Sequence, residues 1–291
     1  MGLMAIMSVL SALLTGRNSR SLSAPAVFAG RALYYGLLGL AISILVLPIV
    51  IVVGISLNPT QSQAFPPTGI SLRWYQEFIA SSFFDPFFFV SLPIAVTTAT
   101  ISTILGILAA YVVVRRDVPF ENEVVMYFIS PLIIPPAIIA LALMITLNFN
   151  FLSFVPTSAK LVVGHVVITI PYTFLTAMTA IESVDTELVE GARNLGATKF
   201  QAFRKITLPL MKSGVVSGFL LAFILSFTDS LVALFLSSGS STTLPVEIFL
   251  FLQYESSPLV AATASIQILL VLVLVVLIGR LIGFKAAAVS S

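Results

Sequence analysis

Six runs of about twenty mostly apolar residues constrain this chain more than any other feature. They cover residues 32–56, 92–114, 124–147, 161–181, 214–236 and 259–283. At a rise of about 1.5 Å per residue, about 20 residues carry a helix across a hydrocarbon layer of about 30 Å. Inside that layer no water pairs with the backbone, so each segment must satisfy its own amide groups, as a helix does. With 58% hydrophobic residues in a chain of 291, a soluble domain has no way to bury the apolar surface. The expected fold is therefore an all-α integral membrane protein with six transmembrane helices. Residues 32–283 form its transmembrane domain, 182–213 an internal loop, and 1–31 and 284–291 the terminal segments.

The residue inventory removes several classes of function. Cysteine is absent, which excludes disulfides, thiolate metal sites and cysteine nucleophiles, and histidine occurs once, at His165. No metal site or catalytic constellation is expected, and a net charge of +2 gives no reason to expect a nucleic-acid partner. The apolar stretch 3–14 precedes Arg17 and Arg20, the reverse of a secretory signal. Leu3, Met7, Leu10 and Leu14 share a helical face, so residues 1–31 are read either as an interfacial amphipathic helix or as a partly disordered tail.

Charge placement sets the orientation. With the N-terminus in the cytoplasm, twelve of the 14 Lys and Arg residues fall in cytoplasmic segments, and only Arg73 and Lys160 lie outside. Both termini and the segment 182–213 are thus expected inside. The longest outer connection, 57–91, carries "FPPTGISLRWYQEF". Trp74, Tyr75 and Phe78 suit a short helix anchored at the headgroup level, with docking of an external partner as the sharper alternative.

The segment between the fourth and fifth runs is unusual. "VEGARNLGATKFQAFRKITLPL" holds Glu190, Arg193, Lys199, Arg204 and Lys205 in a chain where charged residues are only 9%. Leu188, Ala192 and Leu195 recur at helical spacing, and Gly196 follows as a stop in the left-handed region. A second helix is expected over 199–207, with Phe200 and Phe203 on one side and Pro209 at its end. The product is a helix–turn–helix bracket, which could pack beneath its own bundle or receive another protein.

This stretch resembles the EAA loop of permease subunits of ATP-binding-cassette (ABC) importers. That pattern is E-A-A, three residues, G, nine residues, I, one residue, L-P. Here it reads Glu190-Gly191-Ala192, then Gly196, then Ile206-Thr207-Leu208-Pro209, with Gly191 in place of the usual Ala. The resemblance implies a type I importer permease fold with a cytoplasmic coupling helix seated in a cleft of an ATPase subunit. Glu190 and Arg193 would contact that subunit, Gly196 would make the turn, and Leu195 with Ala197 would form the packed ridge. "GARNLGAT" mimics a phosphate-binding loop, but Ala197 stands where the essential lysine belongs and no strand precedes it. The chain is expected to bind no cofactor itself, with ATP and Mg on a partner ATPase dimer.

The outer "FPPTGISLRWYQEF", the six-run layout and "SFTDSLVALFL" look like the polyamine-type branch of that family. Neighbouring branches carry opines, ferric iron, thiamine or phosphonates. The resemblance implies a multi-pass subunit of the bacterial inner membrane, a second homologous permease subunit and an extracytoplasmic solute-binding protein. Asp229 lies roughly 22 Å into the fifth run, at about 1.5 Å per residue. An ionisable group at that depth marks a pathway or a partner. Asp229 is thus a candidate path residue for a cation, with Ser226 and Thr228 beside it, or else a buried acid paired to Ser226, Thr228 or Ser230. Pro131, Pro135, Pro136 and Pro171 interrupt the third and fourth runs. The rival reading, a self-sufficient secondary carrier, usually requires an internal repeat, and none is evident.

Overall fold

A computed structural model describes residues 24–116, 119–149, 154–239 and 241–282. The 3–14 stretch and the tail 284–291 lie outside the described residues. Throughout the described residues the regular structure is helical. Among the described residues four helices are long and apolar enough to cross a membrane, and two bent pairs raise the number to as many as six.

The first run forms α1 (Ala24–Ser56), which packs mainly along the last helix and buries none of its apolar window inside the chain. After the short helix α2 (Arg73–Ile79), a π-helical turn Pro86–Ser91 leads into α3 (Leu92–Arg115). That turn has a cause in the sequence. Pro93 brings no N–H for the carbonyl four residues back, and the Leu92 amide reaches one residue further, to the Phe87 carbonyl. "TLPL" repeats the device: the Leu208 amide bonds to the Phe203 carbonyl just before Pro209.

The third run is not a straight span. Its halves, α4 (Glu121–Ile129) and α5 (Pro136–Leu147), meet at a bend of 97° through the turn Ser130–Leu132. Pro131, Pro135 and Pro136 fall in that bend, where missing donors and fixed φ angles end the first half. Helix α6 (Thr157–Glu182) covers the fourth run and tolerates the buried Pro171. Next come α7 (Thr186–Asn194) and α8 (Lys199–Leu210), the two arms of the bracket, and α8 meets the helix that follows it at a bend of 72°.

The fifth run departs from the expected continuous span. Helix α9 (Lys212–Thr228) stops at Asp229, whose ψ of 127° is extended, and α10 (Leu231–Leu236) begins two residues later. "LPVEIFLFL", between the fifth and sixth runs, forms α11 (Leu244–Leu252), packed on the π-helical turn that precedes α3. Helix α12 (Pro258–Ile282) is the last crossing segment.

Helices α3, α6 and α9 form the centre of the bundle. Small residues bring them close. A Cβ built on Gly106 would lie 2.5 Å from Thr173 Oγ1, and one on Gly214 would lie 2.3 Å from Ala180 Cβ. Between membrane helices such close backbone approach supplies the dispersion contacts that hydrophobic exclusion supplies in water. Hydroxyls cross the same interface: Ser102 and Thr169 share a 2.7 Å bond, and Thr173 donates to the Ser102 carbonyl.

One expectation requires correction. Trp74 and Phe78 are not exposed headgroup anchors; they are 1% and 3% exposed, within a cluster that includes Phe83, Phe87 and Phe227. The Trp74 Nε1–H donates to the Asn58 carbonyl at 2.6 Å, so the indole is tied to the chain that follows α1. The aromatic periodicity of α2 was compatible with either environment.

Candidate functional site

Two regions gather the residues singled out by the sequence: the bracket, and the break between α9 and α10.

The bracket is tightly capped. Asp185 accepts the Glu187 amide at the start of α7. At its end the Gly196 amide bonds to the Arg193 carbonyl and the Ala197 amide to that of Ala192. These two bonds complete a Schellman ending, and Gly196 has the φ of 91° that it requires. Thr198 and Gln201 then form a capping box on α8. Orphan groups on both sides of the turn are thereby paired locally, and the turn between the two short helices is held.

Attachment to the bundle is equally specific. Arg115, the last residue of α3, donates to the carbonyls of Ile181 and Val184, where α6 gives way to the bracket. The Tyr111 and Phe203 rings meet edge-on at 4.9 Å between centroids. Ala202 and Thr207 are buried, and Ala192, Ala197, Ile206 and Leu208 are half-buried. The outer side is bare: Leu188 is 53% exposed, Phe200 68% and Leu195 91%. Gly191, Arg193 and Pro209 are also exposed, and an added Cβ on Gly191 would meet nothing within 4 Å. Glu190 and Arg193, both exposed, line an open cleft of about 850 Å³ shared with Arg115, Arg116 and Glu182.

At the second region the fifth run breaks around a carboxylate. Asp229 Oδ2 accepts the Ala233 amide of α10 at 2.9 Å and lies 3.5 Å from His165 Nε2 on α6. Nδ1 of the same imidazole is 2.7 Å from Ser226 Oγ, one turn before the break. His165 is fully buried, Ser226 is 4% exposed, and the Asp229 side chain keeps 13% of its surface open. Of the carbonyls freed where α9 ends, that of Phe227 takes a hydrogen bond from Gln267 of α12. A broken membrane helix survives where neighbours replace its lost bonds in this way.

The structure joins Asp229 and Ser226 through His165. Thr228 stands apart, exposed and bonded to the Ile224 carbonyl. The Asp229 carboxylate therefore meets an imidazole and a backbone amide; the alternative of an acid paired to Ser226, Thr228 or Ser230 is not formed, and Ser226 bonds to His165 instead. Arg115 and His165 carried no motif. A lone histidine opposite a membrane carboxylate was the available signal, but α6 and α9 had to be placed before it could be used.

Among the described residues no group of three or more His, Cys, Asp or Glu side chains is placed to hold a metal ion.

Residues 102–285 match the family model described as "Binding-protein-dependent transport system inner membrane component". The chain belongs to that family. The permease is 33% identical over 238 residues to the spermidine/putrescine transport system permease protein PotC of Haemophilus influenzae, covering 80% of this chain and 90% of the relative. It is 32% identical over 205 residues to the putrescine transport system permease protein PotI of Escherichia coli K12, covering 68% and 72%. Among solved structures, a bacterial ABC transporter involved in import of the acidic polysaccharide alginate aligns with a TM-score of 0.65. That match has 16% identity and covers 89% of the permease and 98% of its counterpart. At that identity the likeness concerns the fold. It agrees with the all-helical, multi-pass arrangement expected of an importer permease.

Proposed function

We propose that this permease is half of the translocation path of an ATP-driven importer and that polyamines or related organic cations are its cargo. The observation that carries the proposal is the bracket: two capped short helices, pinned to α3 and α6, present bare Leu188, Leu195 and Phe200. Packing under its own bundle would have covered that ridge. Its exposure at the Arg- and Lys-rich end of the helices, taken as the cytoplasmic end, fits a surface received by another protein.

In this reading α7 is the coupling helix, and an ATPase dimer holding ATP and Mg docks on it. A second homologous permease completes the path, and an extracytoplasmic binding protein delivers the solute. ATPase closure moves the bracket, and its anchors on Arg115 and Phe203 pass the displacement to α3 and α6. Both termini are cytoplasmic, and the subunit resides in the bacterial inner membrane. The cargo class is supported by the names of the PotC and PotI relatives and by the Asp229 carboxylate at the break. A fixed negative charge there, with low-dielectric surroundings, favours a cation over an anion.

The test is uptake of radiolabelled spermidine by proteoliposomes holding the complete assembly. ATP-dependent accumulation is expected, and Asp229→Asn is expected to lower it about tenfold, the loss of roughly 1.4 kcal/mol from one charge contact. Uptake driven by this subunit without an ATPase, or unchanged uptake in Asp229→Asn, would contradict the corresponding half of the proposal.

A further inference from the structure

Facing the break in the fifth run is a buried nitrogen of α6 that no hydrogen bond explains. His165 Nε2 has no partner, although the ring is entirely buried. Buried polar atoms of a native fold are nearly always paired, so an orphan calls for a reason. Its neighbour at 3.5 Å is Asp229 Oδ2. Two acceptors facing each other would repel, whereas an N–H facing a carboxylate attracts. The tautomer follows from the other side of the ring. If the Ser226 hydroxyl donates to Nδ1, that nitrogen is the acceptor and the ring proton sits on Nε2, toward Asp229.

We infer that His165 is the positioning residue of the Asp229 carboxylate: an imidazole braced by Ser226 holds Oδ2 in place and leaves Oδ1 to meet a passing ammonium group. This rests on the reading that cations pass Asp229. Oδ2 is already engaged by the Ala233 amide, and no hydrogen bond to Oδ1 is formed among the described residues. The carboxylate is thus oriented through one oxygen, by the Ala233 amide at 2.9 Å and the imidazole at 3.5 Å, while its side chain keeps 13% of its surface open. An imidazole held as acceptor by Ser226 suits this role better than Lys or Arg. With the Ser226 hydroxyl donating to Nδ1, the ring turns its other nitrogen to the acid from a fixed plane, where a Lys or Arg side chain would be flexible.

Two substitutions separate this role from simple packing. The amide of Asn reaches the position of Nδ1 and can keep Ser226, while the amide of Gln reaches the position of Nε2 and can keep Asp229. The assembled transporter in proteoliposomes, with spermidine and a saturating amount of its loaded binding protein, is assayed for cargo moved per ATP hydrolysed. His165→Asn is expected to lower that ratio about fivefold to tenfold, with hydrolysis within about twofold of the parent. His165→Gln should keep the ratio within about twofold. Combined with Asp229→Asn, the His165→Asn change should add nothing, because coupled residues are not additive. Equal loss in the Asn and Gln variants, with uptake and hydrolysis falling together, would overturn the inference, as would additivity with Asp229→Asn. If Asp229→Asn lowers the ratio and His165→Asn does not, this inference alone falls. If Asp229→Asn leaves the ratio intact, the path reading falls and takes the inference with it.

Discussion

Gly106 offers a direct check on how the bundle is held. It sits on α3 where that helix crosses α6, and a Cβ there would lie 2.5 Å from Thr173 Oγ1 and 2.8 Å from the Phe174 backbone nitrogen. The hydroxyl could turn away, but the backbone cannot, so the two helices must part. Overpacking of this kind costs about 1–3 kcal/mol. Replacing Gly by Ala inside a helix returns up to about 1 kcal/mol of propensity. Gly106→Ala should therefore be neutral to destabilising, by up to about 3 kcal/mol. Gly39→Ala makes the same chemical change on α1, where nothing lies within 4 Å, and should be neutral or stabilising by up to about 1 kcal/mol. The two variants should thus differ by about 1–3 kcal/mol. Trp74, the single tryptophan, is 1% exposed and reports unfolding in detergent by its fluorescence. Coincident unfolding curves for the two variants would refute the close α3–α6 approach.

Gly196→Ala forces an L side chain to a φ of 91°. It should cost about 1–2 kcal/mol in the bracket, seen as faster hydrogen exchange in α7. Arg115→Met removes the donor shared by the Ile181 and Val184 carbonyls. A loss of about 1.5–3 kcal/mol is expected in thermal unfolding, with partial recovery in Arg115→Lys; a neutral Arg115→Met would remove the proposed link between α3 and the bracket. Gly191→Ala has open space around the new methyl group. It should slow exchange in α7 by up to about fivefold, the equivalent of 1 kcal/mol of helix propensity.

The crossing segments were legible because hydropathy counts residues, and a lipid-embedded helix needs a fixed number of them. The same count is blind to direction. It read 124–147 as one span, although Pro131, Pro135 and Pro136 turn it through 97°. It also ran 214–236 through the break at Asp229. Gly196 was legible as a turn because its chemistry is local, and the Schellman bonds depend on four neighbouring residues. Trp74 was misplaced because an amphipathic aromatic suits both a headgroup layer and a core, and its bond to Asn58 spans sixteen residues. The approach of His165 to Asp229 joins two residues 64 positions apart, for which one sequence holds no pairing signal.

Whether the bracket is the surface on which an ATPase acts can be measured cleanly, because the chain has no cysteine of its own. Leu195→Cys places one thiol on a side chain that is 91% exposed in the isolated subunit. In membranes containing the complete assembly, a short thiol-to-amine crosslinker should join Leu195→Cys to the ATPase subunit, with a yield that changes when ATP is bound. A crosslink confined to lipid or to this subunit, under conditions where ATP-dependent uptake is intact, would contradict the account.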